Sequence, residues 1–185
     1  PVAKPYAFSD DESIVGTMFF IMELVPGRVF WEPSMPNLTP EERREIYLSM
    51  NKTLAQLHSY DVEALGLSDF GRPGNYIARQ IARWSKQYKA SETRTIETMN
   101  KLMEWLPENN PSDDTNVLVH GDFGVHNILF HPTEPRVAAV LDWELSTLGH
   151  PLGDLTYNMF SWYAPKFKGG MSTLHGLDLD ALGIP

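Results

Sequence analysis

Three short apolar runs in the second half of the chain each end in a cluster of polar side chains, and this pattern restricts the fold more than any other feature. Val117-Leu118-Val119, Asn127 to Phe130 and Arg136 to Leu141 read as strands, apolar and bounded by turn-forming residues. Around them lie His120-Gly121-Asp122-Phe123-Gly124-Val125-His126-Asn127, then Asp142-Trp143-Glu144, then Gly149-His150-Pro151-Leu152-Gly153-Asp154. Carboxylates and imidazoles at the ends of buried strands have to be paired or put to use. Asp122 follows the first strand directly, Asn127 opens the second, and a tight loop joins them.

The rest of the chain reads mainly as helices and loops. Thr17 to Val25 is rich in β-formers and stops at Pro26-Gly27, which predicts a buried strand with Met18, Met22 and the phenylalanines around them in the core. Thr39-Pro40-Glu41-Glu42 predicts a helix start, with Thr39 as N-cap and Glu42 closing a capping box. Ile46, Leu48, Met50, Leu54 and Leu57 continue an apolar stripe to about Tyr60. Further helices are expected over Tyr76 to Tyr88, with Ile77, Ile81, Trp84 and Tyr88 on the inner face, over Glu92 to Trp105, and over Asp154 to Trp162. The Gly-rich tail after Pro165 carries no readable period.

If Asn127–Phe130 and Arg136–Leu141 form a hairpin with its turn centred between Glu134 and Pro135, Asn127 stands opposite Asp142, the Cβ atoms about 4.5–5.5 Å apart. An amide oxygen and a carboxylate so placed can share a hard cation such as Mg²⁺, with waters and phosphate as its other ligands. An Asp, an Asn five residues on and a second Asp after a hairpin is the protein-kinase active-site order. In that order Asp122 accepts or orients the proton of an attacking hydroxyl, while Asn127 and Asp142 hold metal on the phosphates. The triplets Asp69-Phe70-Gly71 and Asp122-Phe123-Gly124 spell the kinase metal motif, but order gives that task to Asp142. A zinc site on His120, Asp122 and His126 is the competing arrangement, unsupported by any other histidine cluster.

His120-Gly121-Asp122 through Asn127, together with Asp142-Trp143-Glu144, resembles the signature of the aminoglycoside phosphotransferase and choline kinase-like superfamily. A narrower likeness rests on Gly66-Leu67-Ser68-Asp69-Phe70-Gly71, on Arg79-Gln80 through Arg83-Trp84 to Lys86-Gln87-Tyr88, and on Leu141 to Gly149. These are similar to kinase-like domains of the acyl-CoA dehydrogenase-associated branch, some of which are fused ahead of a dehydrogenase. The resemblance implies an α+β protein-kinase-like fold, mainly the helical C-lobe with the last N-lobe strand and hinge, the N-lobe being largely absent. On that division residues 1–27 are the N-lobe remnant and hinge. Residues 28–185 are the C-lobe, with its catalytic loop at 120–127 and its metal hairpin at 127–144. It further implies that the backbone of Glu23 and Val25 bonds an adenine edge, that Glu144 assists a second metal or the substrate, and that His120 and Asp154 brace the catalytic loop. Arg79 and Arg83 read as a solvated helix face, with an anionic substrate contact as the sharper alternative.

The implied activity is ATP- and Mg²⁺-dependent phosphorylation of a small-molecule hydroxyl, the branch pointing toward metabolic hydroxy compounds such as a hydroxyacyl-CoA. A non-catalytic nucleotide-binding or scaffolding module associated with an acyl-CoA dehydrogenase is the alternative. The chain departs from the branch at Gly124-Val125-His126, where Arg-Leu-Asp is usual. A phosphate-covering loop and a Lys–Glu pair would precede Pro1 and further helices would follow Pro185. Both ends therefore read as cut, and the chain alone is expected to be a poor catalyst. Composition removes other classes: a net charge of −9 argues against a nucleic-acid face, and zero cysteines exclude disulfides and thiolate metal sites. No signal pattern or run of ~20 apolar residues is visible, so a cytoplasmic location without membrane contact is expected.

Overall fold

The first turn of α1 (Pro40–His58) is built as its sequence prescribes. Thr39 Oγ1 accepts from the Glu42 N–H at 3.2 Å and Glu42 Oε2 accepts from the Thr39 N–H at 3.1 Å, so two otherwise orphaned donors are satisfied. Ile46, Met50, Leu54 and Leu57 are buried along one stripe. Leu48, expected in that stripe, is exposed, and Tyr47 is buried in its place. Two residues on from Ile46 is about 200° around the helix, which turns Leu48 outward.

The computed structural model describes residues 1–166 and 172–185. Among them six strands form three antiparallel pairs: β1 (Pro5–Ser9) with β2 (Phe19–Met22), β3 (Val117–Val119) with β6 (Thr147–Gly149), and β4 (Ile128–Phe130) with β5 (Val137–Val140). Helices α2 (Tyr76–Ser91) and α3 (Glu97–Trp105) precede β3, and α4 (Leu152–Tyr163) and α5 (Leu179–Leu182) follow β6. Helix α3 begins five residues later than the expected Glu92. Thr93, Thr95 and Ile96 are β-branched and lose rotamer freedom in a helix, and the chain stays non-helical there. No helix among the described residues is long and apolar enough to cross a membrane.

The core lies where α1 meets the β4–β5 hairpin, the loop at 120–127 and the C-terminal segment. Ile46, Tyr47, Met50, Phe123, Ile128 and Phe130 belong to it, with Leu174 and Ile184 closing one side. Arg43 is buried there with no carboxylate partner among the described residues. Its guanidinium donates instead to the carbonyls of Leu182, Met35 and Leu38, joining the end of α5 to the loop before α1.

Two expectations about burial fail. Met18, Phe20 and Met22 on and beside β2 are all about half exposed or more, and Leu24 is 93% exposed. A two-stranded ribbon covers only one edge of each strand, and no third layer lies on its faces among the described residues. Trp84 is likewise exposed on α2, a helix with no fully buried residue. The apolar face of α2 only leans on its neighbours, so periodicity overstated its burial.

Candidate active site

The loop after β3 is held by one carboxylate. Asp154 Oδ2 accepts the N–H of His120 at 2.8 Å and Oδ1 accepts that of Gly121 at 2.7 Å. Sequence position suggests that Asp154 caps its own helix. The residue at the cap of α4 is Pro151 instead, and Asp154, in the first turn and 1% exposed, reaches across to the loop. A third partner is His58, the last residue of α1, whose Nε2 lies 3.0 Å from Asp154 Oδ2. Nothing local marks His58 in the sequence, because its role depends on where α1 ends in space.

Gly121 turns the chain with φ +88°, and a Cβ there would stand 2.5 Å from the Leu145 carbonyl oxygen. Only glycine meets both demands. His120 is fully buried, its ring edge-on to Trp143 at 4.7 Å between centroids. Nδ1 accepts from the Asp122 N–H at 3.3 Å and Nε2 lies 2.8 Å from the Leu141 carbonyl. Both bonds form together only in the neutral tautomer protonated at Nε2. His120 thus ties the loop to the end of β5.

Asp122 and Asn127 are locked together. Asn127 Nδ2 donates to Asp122 Oδ2 at 2.9 Å and to the Asp122 carbonyl at 3.0 Å. With both amide hydrogens spent on one residue, the Asn127 oxygen is left for another partner. Asp122 keeps a quarter of its side chain exposed, with Nε2 of His126 3.8 Å from its Oδ2.

The hairpin register differs from expectation by one residue. Ile128 pairs with Val140, and the Leu141 N–H bonds the Asn127 carbonyl at 2.8 Å, so Asn127 faces Leu141 rather than Asp142. The turn lies earlier than assumed, with His131 N–H bonding the Arg136 carbonyl, and a bulge between Leu129 and Phe130 recovers only one residue of the shift. Asp142 leaves the ladder in the left-handed region, φ 63° and ψ 61°. Its side-chain direction is therefore set by this turn and not by strand alternation. A non-glycine residue held there costs about 1–3 kcal/mol, the kind of strain found at functional sites.

The other candidates are spread more widely. Asp142 and Glu144 are both exposed, the latter in the single 3₁₀ turn Trp143–Leu145. Glu23 is exposed and its N–H bonds the Lys4 carbonyl, while Val25 is half-buried. Arg79 donates to the Arg72 carbonyl at 2.7 Å and the Arg83 guanidinium lies over the Trp84 ring. Neither arginine lines the cavity beside the loop at 124–126.

That cavity, about 500 Å³, opens between the loop at Gly124–His126, the exposed face of α4 and Trp31. Tyr157 and Phe160 of α4 supply much of its apolar wall, and no Asp, Glu, Lys or Arg lines it among the described residues. Tyr157, absent from the sequence candidates, has its phenol pushed up to about 12, by burial first and then by the neighbouring Asp122 carboxylate. Its place in α4 gave no local signal.

A helical lobe presenting an Asp–Asn loop and an antiparallel hairpin is the architecture of protein-kinase-like phosphotransferases. The profile of the phosphotransferase enzyme family matches residues 1–170, and the chain belongs to that family. Mouse acyl-CoA dehydrogenase family member 10 is 44% identical over 185 residues, all of this chain and 17% of the mouse protein. A crystal structure from Ralstonia eutropha, provisionally named an aminoglycoside phosphotransferase, superposes with a TM-score of 0.93 at 53% identity, covering 100% of this chain and 56% of that one. An aminoglycoside phosphotransferase solved as a ternary complex with ADP and hygromycin B shares the fold at 17% identity, with a TM-score of 0.63 over 88% of this chain and 55% of that one. The chain thus spans about a sixth of the mouse relative and little more than half of the Ralstonia protein.

Proposed function

We propose that the full-length protein carrying this chain transfers the γ-phosphate of ATP to a hydroxyl of a small molecule, with Mg²⁺ as the metal. The observation that carries this reading is the Asp122–Asn127 lock. It leaves one carboxylate partly exposed next to His126, a residue of the cavity wall, and one amide oxygen without a hydrogen-bond partner among the described residues. Asp122 receives the proton of the acceptor hydroxyl and holds its oxygen in line with the γ-phosphorus. As that oxygen bonds to phosphorus the bond to the β-bridging oxygen breaks, and ADP departs.

The Asn127 oxygen and the Asp142 carboxylate suit a cation that prefers oxygen and leaves its other positions to phosphate and water, with Glu144 two residues on. No three His, Cys, Asp or Glu side chains converge on a metal among the described residues, so a closed zinc site has no support. Bound Mg²⁺ supplies charge neutralisation at the phosphate oxygens. At the hinge the Glu23 carbonyl and the Val25 N–H have no backbone partner among the described residues, which suits an adenine edge. His120 and Asp154 keep the loop in shape and take no part in bond making.

The cavity favours an acceptor with an uncharged or apolar body. A polycationic aminoglycoside would bring ammonium groups to a wall that has no carboxylate among the described residues, and unpaired charges are costly to desolvate. Asp122→Asn keeps the shape and removes the base. Mg·ATP-dependent phosphorylation of hydroxylated metabolites by the full-length protein is expected to fall by about 10²-fold or more. Turnover within a few-fold of wild type would remove Asp122 from the chemistry.

The relatives named as dehydrogenases favour a second reading, in which the domain binds nucleotide and associates with an acyl-CoA dehydrogenase without catalysing transfer. Thermal stabilisation by ATP that requires Mg²⁺, with no transfer to any acceptor, is the outcome that would select it.

A further inference from the structure

Gly124 and His126 form a unit that the transfer chemistry leaves unused. A Cβ at residue 124 would lie 2.7 Å from Cε1 and 3.0 Å from Nδ1 of His126, closer than side chains approach one another. The missing side chain is what lets the imidazole fold back over the loop. The folded-back ring stands against Tyr157 of α4, 6.5 Å between centroids, and forms part of the cavity wall. Its Nε2 lies 3.8 Å from Asp122 Oδ2, beyond hydrogen-bond length, and neither ring nitrogen has a hydrogen-bond partner among the described residues. A polar group is therefore held beside the base, inside the cavity, with its hydrogen-bonding capacity unspent.

Resting on the function proposed above, we infer that His126 determines acceptor specificity by binding a second oxygen on the carbon next to the one that carries the reacting hydroxyl. Two sites separated by 3.8 Å can each bond one oxygen of a vicinal pair, one at Asp122 Oδ2 and one at His126 Nε2. Bonding of both to the reacting oxygen is disfavoured chemically. A donor on that oxygen would withdraw the lone pair that must attack phosphorus. Nε2 accordingly serves the neighbouring oxygen, and Gly124 serves Nε2.

The test uses the full-length protein with labelled Mg·ATP and two probes, n-octanol and the vicinal diol of octane. Wild type is expected to favour the diol in kcat/KM by roughly tenfold, the worth of one hydrogen bond between uncharged groups. His126→Leu brings the ratio near one, and His126→Gln, which places an amide near Nε2, restores much of it. Gly124→Ala displaces the ring and reproduces His126→Leu, while the double variant is no worse than either single one. A ratio unchanged by His126→Leu, or additive effects of the two substitutions, would overturn the inference. Nitrogen-labelled protein gives a readout independent of turnover: the diol shifts the His126 imidazole resonances and n-octanol does not. If neither probe shifts them, the inference falls whatever the turnover. If the diol shifts them but no acceptor is ever labelled, His126 binds a diol oxygen without setting acceptor specificity, and the inference falls together with the phosphotransfer reading.

Discussion

One buried carboxylate, Asp154, holds the loop after β3. Asp154 answers two backbone N–H groups and His58 at once, and all three would lose their partner together. Asp154→Ala is expected to cost about 2–4 kcal/mol, since each buried unsatisfied group costs about 1–3 kcal/mol and the loop relaxes in part. Asp154→Asn keeps one acceptor oxygen and should lose less. Urea denaturation gives both numbers; equal losses would show that the two N–H bonds contribute little. Tyr47→Phe is a smaller probe of the same kind. The hydroxyl donates to the Pro33 carbonyl at 2.6 Å inside the core, so its removal should cost about 1–2 kcal/mol by the same measurement. Asp122, Asn127 and Asp142 were visible in the sequence because their spacing follows one another along the chain. His58 and Tyr157 were not, because each meets the loop from a distant helix.

At the scale of elements, local rules succeeded where local interactions dominate. The capping box at Thr39 and Glu42 was legible because all its bonds lie within four residues. Thr39→Ala is expected to lower stability by about 1 kcal/mol, and Glu42→Ala in the same background to add little, because the two side chains act reciprocally. Additive losses in a double-mutant cycle would show that the box is not a unit. The β4–β5 hairpin was found in the right place but one residue out of register. The turn position and the bulge near Phe130 fix that register, and no alternation of apolar residues reveals a bulge in strands of three and four residues. For β2 the composition correctly indicated a strand. It could not indicate burial, which depends on a covering layer that a two-stranded ribbon lacks.

At the scale of the whole molecule, folding raises the phenols of two tyrosines, Tyr47 in the core and the partly exposed Tyr157 beside the cavity. Burial pushes the Tyr47 phenol well above the usual tyrosine range, offset only in part by Arg43, and Tyr157 is raised to about 12. A phenol with a raised folded pKa contributes its full stability below about pH 10, its unfolded value. That contribution is lost as pH climbs through the folded value, because the unfolded chain releases the proton first. Stability is therefore expected to hold from neutral pH to about 9.5 and then to fall. Absorbance of tyrosinate followed beside circular dichroism tests this: the last of the seven tyrosines should ionise only as the helices melt. Complete ionisation of a still-helical protein would contradict it. The sequence by itself indicated α1, α2, α4 and the strands β2 to β5, and singled out Asp122, Asn127 and Asp142 as candidates, because propensity, capping and spacing are short-range. Tertiary structure alone decided which residues brace that set, which apolar faces are covered and what lines the cavity. Those depend on where distant elements meet, and a core of this kind is closed by contacts far apart in the chain, from Met35 to Ile184.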